Sequence, residues 1–127
     1  MKFDTVGEIV ATRELDLNGG QKVKVLIGKP QTISNEVDWY CTYQIIGIGS
    51  GDVKYAGGID PVQALVLALS LAGAHLYCSA EYEAGRLSWD CASTKGDLGF
   101  PVPNNLKDAV PGGGNASRGS GNQNSVN

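Results

Sequence analysis

A chain of 127 residues, 42% of them hydrophobic and 18% charged, is long enough for one packed core and too short for two domains. Ten Lys and Arg residues stand against 13 Asp and Glu residues, and the net charge of −3 argues against nucleic-acid binding, which requires a basic surface. The first residues lack the apolar run of a signal peptide, and three widely spaced cysteines do not make a disulfide framework. We therefore expect a cytoplasmic protein with reduced thiols.

Two strands joined by a tight turn are predicted near the start of the chain. Apolar and polar residues alternate over residues 9–17, where Arg13 breaks the apolar face, and again over residues 22–27. This is the period of half-buried strands. Between them, Asn18, Gly19 and Gly20 accept the positive φ angles that a tight turn requires. The pattern therefore predicts a β-hairpin.

Further strands are expected to extend this hairpin into a meander. A third strand is predicted over residues 37–48, and the face that should meet the core carries Trp39, Cys41, Tyr43 and Ile45. A short fourth strand passes through Val53 and Tyr55, and residues 86–89 could add a fifth. The glycines of residues 47–51 join two strands, which predicts a turn and not a phosphate-binding loop, because such loops lead from a strand into a helix.

A helix is predicted from residue 60 to about residue 83. Asp60 can accept hydrogen bonds from the first free amides, Pro61 fits the first helical position, and Gln63 can complete a capping box. Gly85 is expected to end the helix. The apolar stripe expected to pack on the sheet consists of Val62, Leu65, Val66, Leu69, Ala72 and Leu76.

Apolar residues also continue around the helix beyond this stripe, at Leu67, Ala68, Leu71 and Ala74. The uncharged run is too short to cross a membrane, which takes about 20 residues. Two alternatives remain, because an exposed apolar surface of this kind usually marks an interface. Either a later segment, residues 96–110 with Leu98, Phe100, Val102 and Leu106, folds back over the helix, or a second copy of the chain covers it in a homodimer.

The predicted elements amount to an α+β fold, an antiparallel four- to five-stranded meander with one long helix packed on one face. This single domain is expected to span residues 1–110. Residues 111–127 are mostly Gly, Asn and Ser, a composition that is typical of a flexible tail.

Catalytic and metal sites are poorly supported by the sequence. His75 and Cys78 lie three residues apart, as two metal ligands on a helix could, and Cys41 and Cys91 could complete the set. No CxxC pair accompanies them, and a thiol in the middle of a helix is not activated by the helix amino terminus. We therefore expect no catalytic residues, no metal, no cofactor and no enzyme activity.

A binding site is the better-supported prediction. Asp38, Trp39 and Tyr40 place an acid beside two large aromatic residues, a combination that anchors interfaces. Trp39 is expected to face the core and Tyr40 the solvent. A pocket between helix and sheet is expected near Trp39, Tyr43 and Asp60.

Three segments of the chain also resemble a known family: DWYCTYQIIGIGSG, AGGIDPVQALVLAL and LSWDCASTKGDLGFP. Together they are similar to small bacterial domains recorded only as a domain of unknown function, whose pattern joins a D-W-Y-C strand to a G-G-x-D-x-x-Q-A-L helix start. The resemblance covers most of residues 8–103. It implies a bacterial or phage origin and a cytoplasmic location, and it supplies no catalytic or binding residues.

Two functional hypotheses follow. The first is a non-enzymatic module that binds another macromolecule, for example an inhibitor, an immunity-type protein or an anti-defence protein, and a protein partner is expected. The second is a small-molecule-binding protein that uses a pocket between helix and sheet. Neither a nucleic acid nor a membrane is expected as a partner.

Overall fold

A computed structural model describes residues 2–33, 38–89 and 96–101 of the chain. The predicted tail at residues 111–127 and the domain boundary at residue 110 lie outside these residues. The elements are β1 (Ile9–Leu17), β2 (Gln21–Gly28), β3 (Gln31–Thr32), β4 (Trp39–Ile46), β5 (Val53–Gly58), α1 (Pro61–Tyr77), α2 (Ala80–Glu83) and β6 (Leu87–Ser88).

The strands form one antiparallel sheet of six strands, with the main helix α1 packed on one face. β1, β2, β4 and β5 are neighbours in chain order, which confirms the predicted α+β meander. β5 pairs with one side of β4. On the other side of β4, β3 pairs with its first residues and β2 with its later residues. The two residues of β3 lie between the predicted second and third strands, and so short a strand leaves no alternating pattern to detect.

The predicted hairpin between β1 and β2 is confirmed. Leu17 pairs with Gln21, and the intervening Asn18 and Gly19 have φ angles of 57° and 77°. Asn and Gly tolerate this left-handed region better than other residues, so the turn follows directly from the local sequence.

The core lies between the sheet and α1. Its sheet side is formed by alternate residues of four strands, all fully or almost fully buried: Leu15, Val23, Val25, Ile27, Cys41, Tyr43 and Ala56. Trp39 and Ile45 are partly buried against them. The face of β4 that was predicted to meet the core is therefore the face that does.

The start of α1 is as predicted. A carboxylate oxygen of Asp60 accepts a hydrogen bond from the backbone N–H of Gln63 at 2.7 Å, and Oε1 of Gln63 accepts one from the N–H of Ile59 at 2.8 Å. The first bond satisfies an amide of the first helical turn, and the second is a variant of the predicted capping box, because Gln63 reaches the N–H of Ile59 and not that of Asp60.

The predicted helix is interrupted before its expected end, because α1 stops at Tyr77 and a separate short helix, α2, continues to Glu83. The break lies at Ser79, whose hydroxyl donates to the carbonyl of Leu76 at 2.7 Å and accepts from the N–H of Tyr82 at 3.1 Å. Serine side chains compete in this way with backbone hydrogen bonds and favour a new helix start.

The face that α1 turns to the sheet also differs from the predicted stripe. Ala72 and Leu76 are buried, and Leu65 and Leu69 pack partly buried against the core, as expected, but Val62 and Val66 are exposed. Ala64 and Ala68 are buried in their place. The helix approaches β5 so closely that a Cβ atom added to Gly58 would lie 2.6 Å from the backbone nitrogen of Ala64. Small residues therefore occupy the inner face because larger ones would not fit.

Residues 96–101 pack over one side of α1 and the neighbouring strands. Leu98 and Phe100 are buried, which confirms that this part of the predicted covering segment folds back, while residues 102–110 lie outside the described chain. A Cβ atom on Gly73 would lie 2.8 Å from Cβ of Phe100, so glycine permits the contact. Among the described residues, no helix is long and apolar enough to cross a membrane.

Arg13, on the sheet, contacts residues 98 and 100 of the covering segment at residues 96–101. Its guanidinium lies 4.1 Å from the ring centre of Trp89 and 5.1 Å from that of Phe100, and Nη1 donates to the carbonyl of Leu98 at 2.7 Å. Arg13 occupies a core-facing position of β1, where the sequence pattern showed a break. The charge is accommodated because aromatic faces and a carbonyl surround it.

Candidate functional site

A cleft of about 500 Å³ opens where α1 ends and the loop between β4 and β5 passes by. Its floor is apolar, and polar groups from the strands, the loop and the helix end surround the opening. The residues that define it are Tyr43, Ile48, Lys54, His75, Cys78 and Glu81. A concave site with an apolar floor and a few converging polar groups is the usual form of a small-ligand site.

Tyr43 and His75 form the centre of the cleft. The hydroxyl of Tyr43 lies 3.4 Å from Nδ1 of His75, and the two rings are tilted with centroids 5.9 Å apart. Burial raises the pKa of Tyr43 to about 12, whereas burial and then the nearby Lys54 lower the pKa of His75. At neutral pH the imidazole is therefore neutral, and its tautomer decides whether Nδ1 accepts a hydrogen bond from the Tyr43 hydroxyl or donates one to it.

The loop between β4 and β5 gives the cleft a defined wall. The predicted turn at residues 47–51 is confirmed, with positive φ angles at Gly47, Gly49 and Gly51. Nε2 of Gln44 donates to the carbonyl of Gly51 at 2.8 Å, which ties the loop to β4. The glycines thus belong to a loop that joins two strands and forms one wall of the cleft.

The two described cysteines differ in their surroundings, and both are free thiols. Cys41 is buried, its Sγ donates to the carbonyl of Gly28 at 3.3 Å, and burial raises its pKa to about 11. Cys78 is exposed at the cleft with His75. Within the described part of the chain, no group of three or more His, Cys, Asp or Glu residues could hold a metal ion, and Cys91 lies outside that part.

The structure does not bring together the five residues predicted to bind. Tyr43 lines the cleft, whereas Asp60 caps the opposite end of α1, so this cleft includes neither Trp39 nor Asp60. Tyr43 and Asp60 are separated because α1 runs along β5 from Gly58 towards Lys54.

The predicted aromatic anchor is also divided. Trp39 and Tyr40 point to opposite faces of the sheet because they are consecutive strand residues. Trp39 packs on the core as expected, but Tyr40 is partly buried, since Phe3 stacks on it with ring centroids 5.0 Å apart. Asp38 is exposed, and its carbonyl accepts from the N–H of Ile33.

The amino-terminal residues on this second face were missed by sequence reasoning. Val6 is buried there, and its carbonyl accepts a hydrogen bond from the hydroxyl of Thr42 at 2.8 Å. Phe3 contacts Tyr40 and Tyr55. The segment has no regular period, and its apolar residues gave the only signal that it packs.

A second candidate surface is the outer face of α1. Five large apolar residues on or beside it are exposed: Ile59 (75%), Val62 (68%), Val66 (47%), Leu67 (41%) and Leu71 (39%). Helix residues advance by about 100° each, so Val62 and Leu71 project from opposite sides. The side shared by Val62, Val66 and Gly73 is called the Val62 flank, and the side shared by Leu67 and Leu71 the Leu71 flank.

A comparison with protein families matches residues 11–102 to a single family, Domain of unknown function (DUF6968). The chain belongs to this family. The DUF6968 match includes the strands, α1, both flanks and the cleft, and it agrees with the resemblance seen in the three sequence segments. The comparisons with curated proteins and with solved structures gave no match.

Proposed function

We propose that the protein is a non-enzymatic module that binds another protein through the Val62 flank of α1. The observation that carries the proposal is the exposure of Val62 and Val66 beside Ile59, three branched apolar residues within two helical turns. Full burial of such a side chain is worth about 1.5–3 kcal/mol. Large apolar residues that remain exposed together, without this gain in free energy, are typical of binding surfaces.

The partner is a protein with a complementary apolar patch and basic residues around it. The chain itself is acidic, with a net charge of −3, and opposite charge around an apolar centre speeds encounter and favours the correct partner. An inhibitor, an immunity-type protein or an anti-defence protein of bacterial or phage origin, acting in the cytoplasm, would have these properties. The family resemblance is the support for that origin and location.

The test compares two valines that are both exposed but lie on different surfaces. A partner is first identified by pull-down with the full chain and then purified and titrated. Val62→Asp is expected to weaken binding at least tenfold, whereas Val10→Asp, at a residue 49% exposed on β1, leaves it unchanged. Equal binding by both variants would contradict the proposal, and unfolding of Val62→Asp alone would show that the chain's own residues cover this flank.

A second candidate function, binding of a small molecule, is favoured by the cleft. The Tyr43 hydroxyl and the His75 imidazole lie next to each other above an apolar floor, as in sites that orient a small ligand. Mass spectrometry of compounds released from purified protein would test it. Ile48→Trp is expected to fill the cleft and remove the ligand while leaving the Val62 flank intact, and a ligand retained by this variant would contradict the hypothesis.

A further inference from the structure

The outer edge of β5 is an open strand edge. β5 pairs with β4 along its whole length, and no described strand pairs with its other side. Its residues, Val53–Gly58, include no proline, so the backbone can accept another strand. Such an edge carries a row of unpaired N–H and C=O groups that a strand of another chain can satisfy.

The other long edge of the sheet, at β1, is different. A bulge between Ile9 and Ala11 interrupts its register, and residues 87–88 already pair with its end. Arg13 in its middle is held by the segment at residues 98–100. Bulges and paired strands of this kind protect edges from pairing, whereas β5 has no bulge and none of the described strands pairs with its outer edge.

The Leu71 flank overhangs this open edge. The Ala64 and Ala68 side of α1 rests on the sheet, and the Gly73 side faces residues 100–101, which lie towards β1. Leu71 lies about 160° around the helix from Gly73, so it projects on the side of β5. The edge of β5 and the apolar residues above it thus form one continuous surface.

The position of Leu71 along β5 follows from the rise per residue of the helix and of the strand. α1 runs antiparallel to β5, and Ala64 lies directly over Gly58. Seven helical residues and three strand residues each span about 10 Å, which puts Leu71 level with Tyr55, near the middle of β5. Tyr55, which is also exposed, projects from the opposite face of the sheet.

We propose that two copies of the chain associate through this surface, with the β5 strands paired antiparallel about a two-fold axis near Tyr55. Paired strands lie about 4.8 Å apart, and α1 lies over the gap between β4 and β5, so the two helices would lie about 10 Å apart. That distance is the normal separation of packed helices. Leu67 and Leu71 of the two copies fill the space between the helices.

A second copy fits this surface better than an unrelated partner. The axis pairs Tyr55 with its own counterpart, an aromatic cross-strand pair on one face, and brings Leu71 near its counterpart on the other. Both copies thereby bury the same apolar residues, as a closed two-fold interface requires. The inference is independent of the proposed partner at the Val62 flank, which stays exposed in this dimer.

Sedimentation of the full chain over micromolar concentrations tests the association. The wild type is expected to shift from monomer to dimer with rising concentration, and Leu71→Glu to remain a folded monomer. Val62→Glu, the same charge on the opposite flank, is the matched control and is expected to dimerise normally. A wild type that stays monomeric, or a dimer lost in Val62→Glu but kept in Leu71→Glu, would overturn the proposal.

Cross-linking tests the strand pairing, and decides the matter even if Leu71→Glu does not fold. In a chain with Cys78→Ser and Cys91→Ser, Tyr55→Cys places two thiols directly opposite each other, within the range of Cα separations that disulfides bridge, about 4.4–6.8 Å. Mild oxidation is expected to give a covalent dimer. Val53→Cys, two residues from the axis, is the control and should form at least tenfold less covalent dimer. Equal cross-linking by both would show that the strands do not pair in this register.

Discussion

Between residues 62 and 72, the inner and outer faces of α1 differ in side-chain volume. The inner face carries Ala64, Ala68 and Ala72, which are completely buried, whereas the outer face carries larger residues such as Val62 and Leu71 that remain exposed. In most helices that pack on a sheet, the larger apolar residues face inward. The difference shows that the close approach of this part of the helix to the sheet, and not hydrophobicity alone, decides which of its residues are fully buried, whereas Leu76 lies further along and is buried as a large residue.

This difference separates folding from binding. The inner alanines allow the backbone of α1 to approach β5, as the contact of Ala64 with Gly58 shows. The outer residues add little to the stability of one copy, because most of their surface stays in water. Their burial is instead available to stabilise a complex.

The largest expected difference in the free energy of unfolding comes from replacing a leucine by alanine on each of the two faces of α1. Leu76→Ala creates a cavity at a fully buried position and is expected to lower the free energy of unfolding by about 2–5 kcal/mol. Leu71→Ala, at a position 39% exposed, should lower it by less than about 1 kcal/mol in dilute solution. Urea unfolding measures both, and similar losses would mean that the outer face belongs to the core.

Substitutions of Arg13 test how residues 96–101 are held against the sheet. Arg13→Ala removes the hydrogen bond to Leu98 and the contacts with Trp89 and Phe100, and is expected to cost about 2 kcal/mol. Arg13→Lys keeps the charge but loses the planar group, and should cost about half as much. Thermal unfolding distinguishes these values, and no loss in Arg13→Ala would show that residues 96–101 do not depend on this contact.

Asp60 fixes where α1 begins and therefore which residues face inward. Asp60→Ala is expected to destabilise the protein by about 1 kcal/mol, because the N–H of Gln63 loses its acceptor. Asp60→Asn keeps an acceptor and serves as the control, with a much smaller loss. An unchanged melting temperature for Asp60→Ala would contradict the assigned cap.

The smallest expected effect concerns His75, where α1 meets the cleft. Its pKa is lowered below 6.5, so the unfolded chain takes up the proton at higher pH than the folded chain. Stability is therefore expected to be complete above about pH 6.5 and to decline as the pH falls towards the folded pKa, with a weaker decline in His75→Gln. It is the only histidine, so an NMR titration reads it directly, and a midpoint above 6.5 would contradict the assignment.

Much of the fold could be predicted because the signals are local. The alternation in β1, β2 and β4, the Asn18–Gly19 turn and the Asp60 cap each depend on a few neighbouring residues, and each is confirmed. The α+β class followed from their order along the chain.

What could not be predicted depends on contacts between distant residues. The apolar residues of α1 surround the helix, so the pattern alone could not show that Ala68 and not Val66 faces the sheet. Arg13 appeared as a break in a strand because its aromatic partners lie 76 and 87 positions later in the sequence. The part of the cleft that His75 and the glycine loop form was not predicted, because these two features were considered separately.

Two adjacent residues test most directly whether α1 is oriented as described. Ala68 is fully buried against the sheet, and its neighbour Leu67 is 41% exposed. In dilute solution, the free energy of unfolding of Leu67→Asp is expected to lie within about 0.5 kcal/mol of the wild-type value. Ala68→Asp buries an unpaired charge and should lower the free energy of unfolding by more than about 3 kcal/mol. A large loss in Leu67→Asp together with a stable Ala68→Asp would show that the larger apolar residues face the sheet and would contradict the orientation of α1.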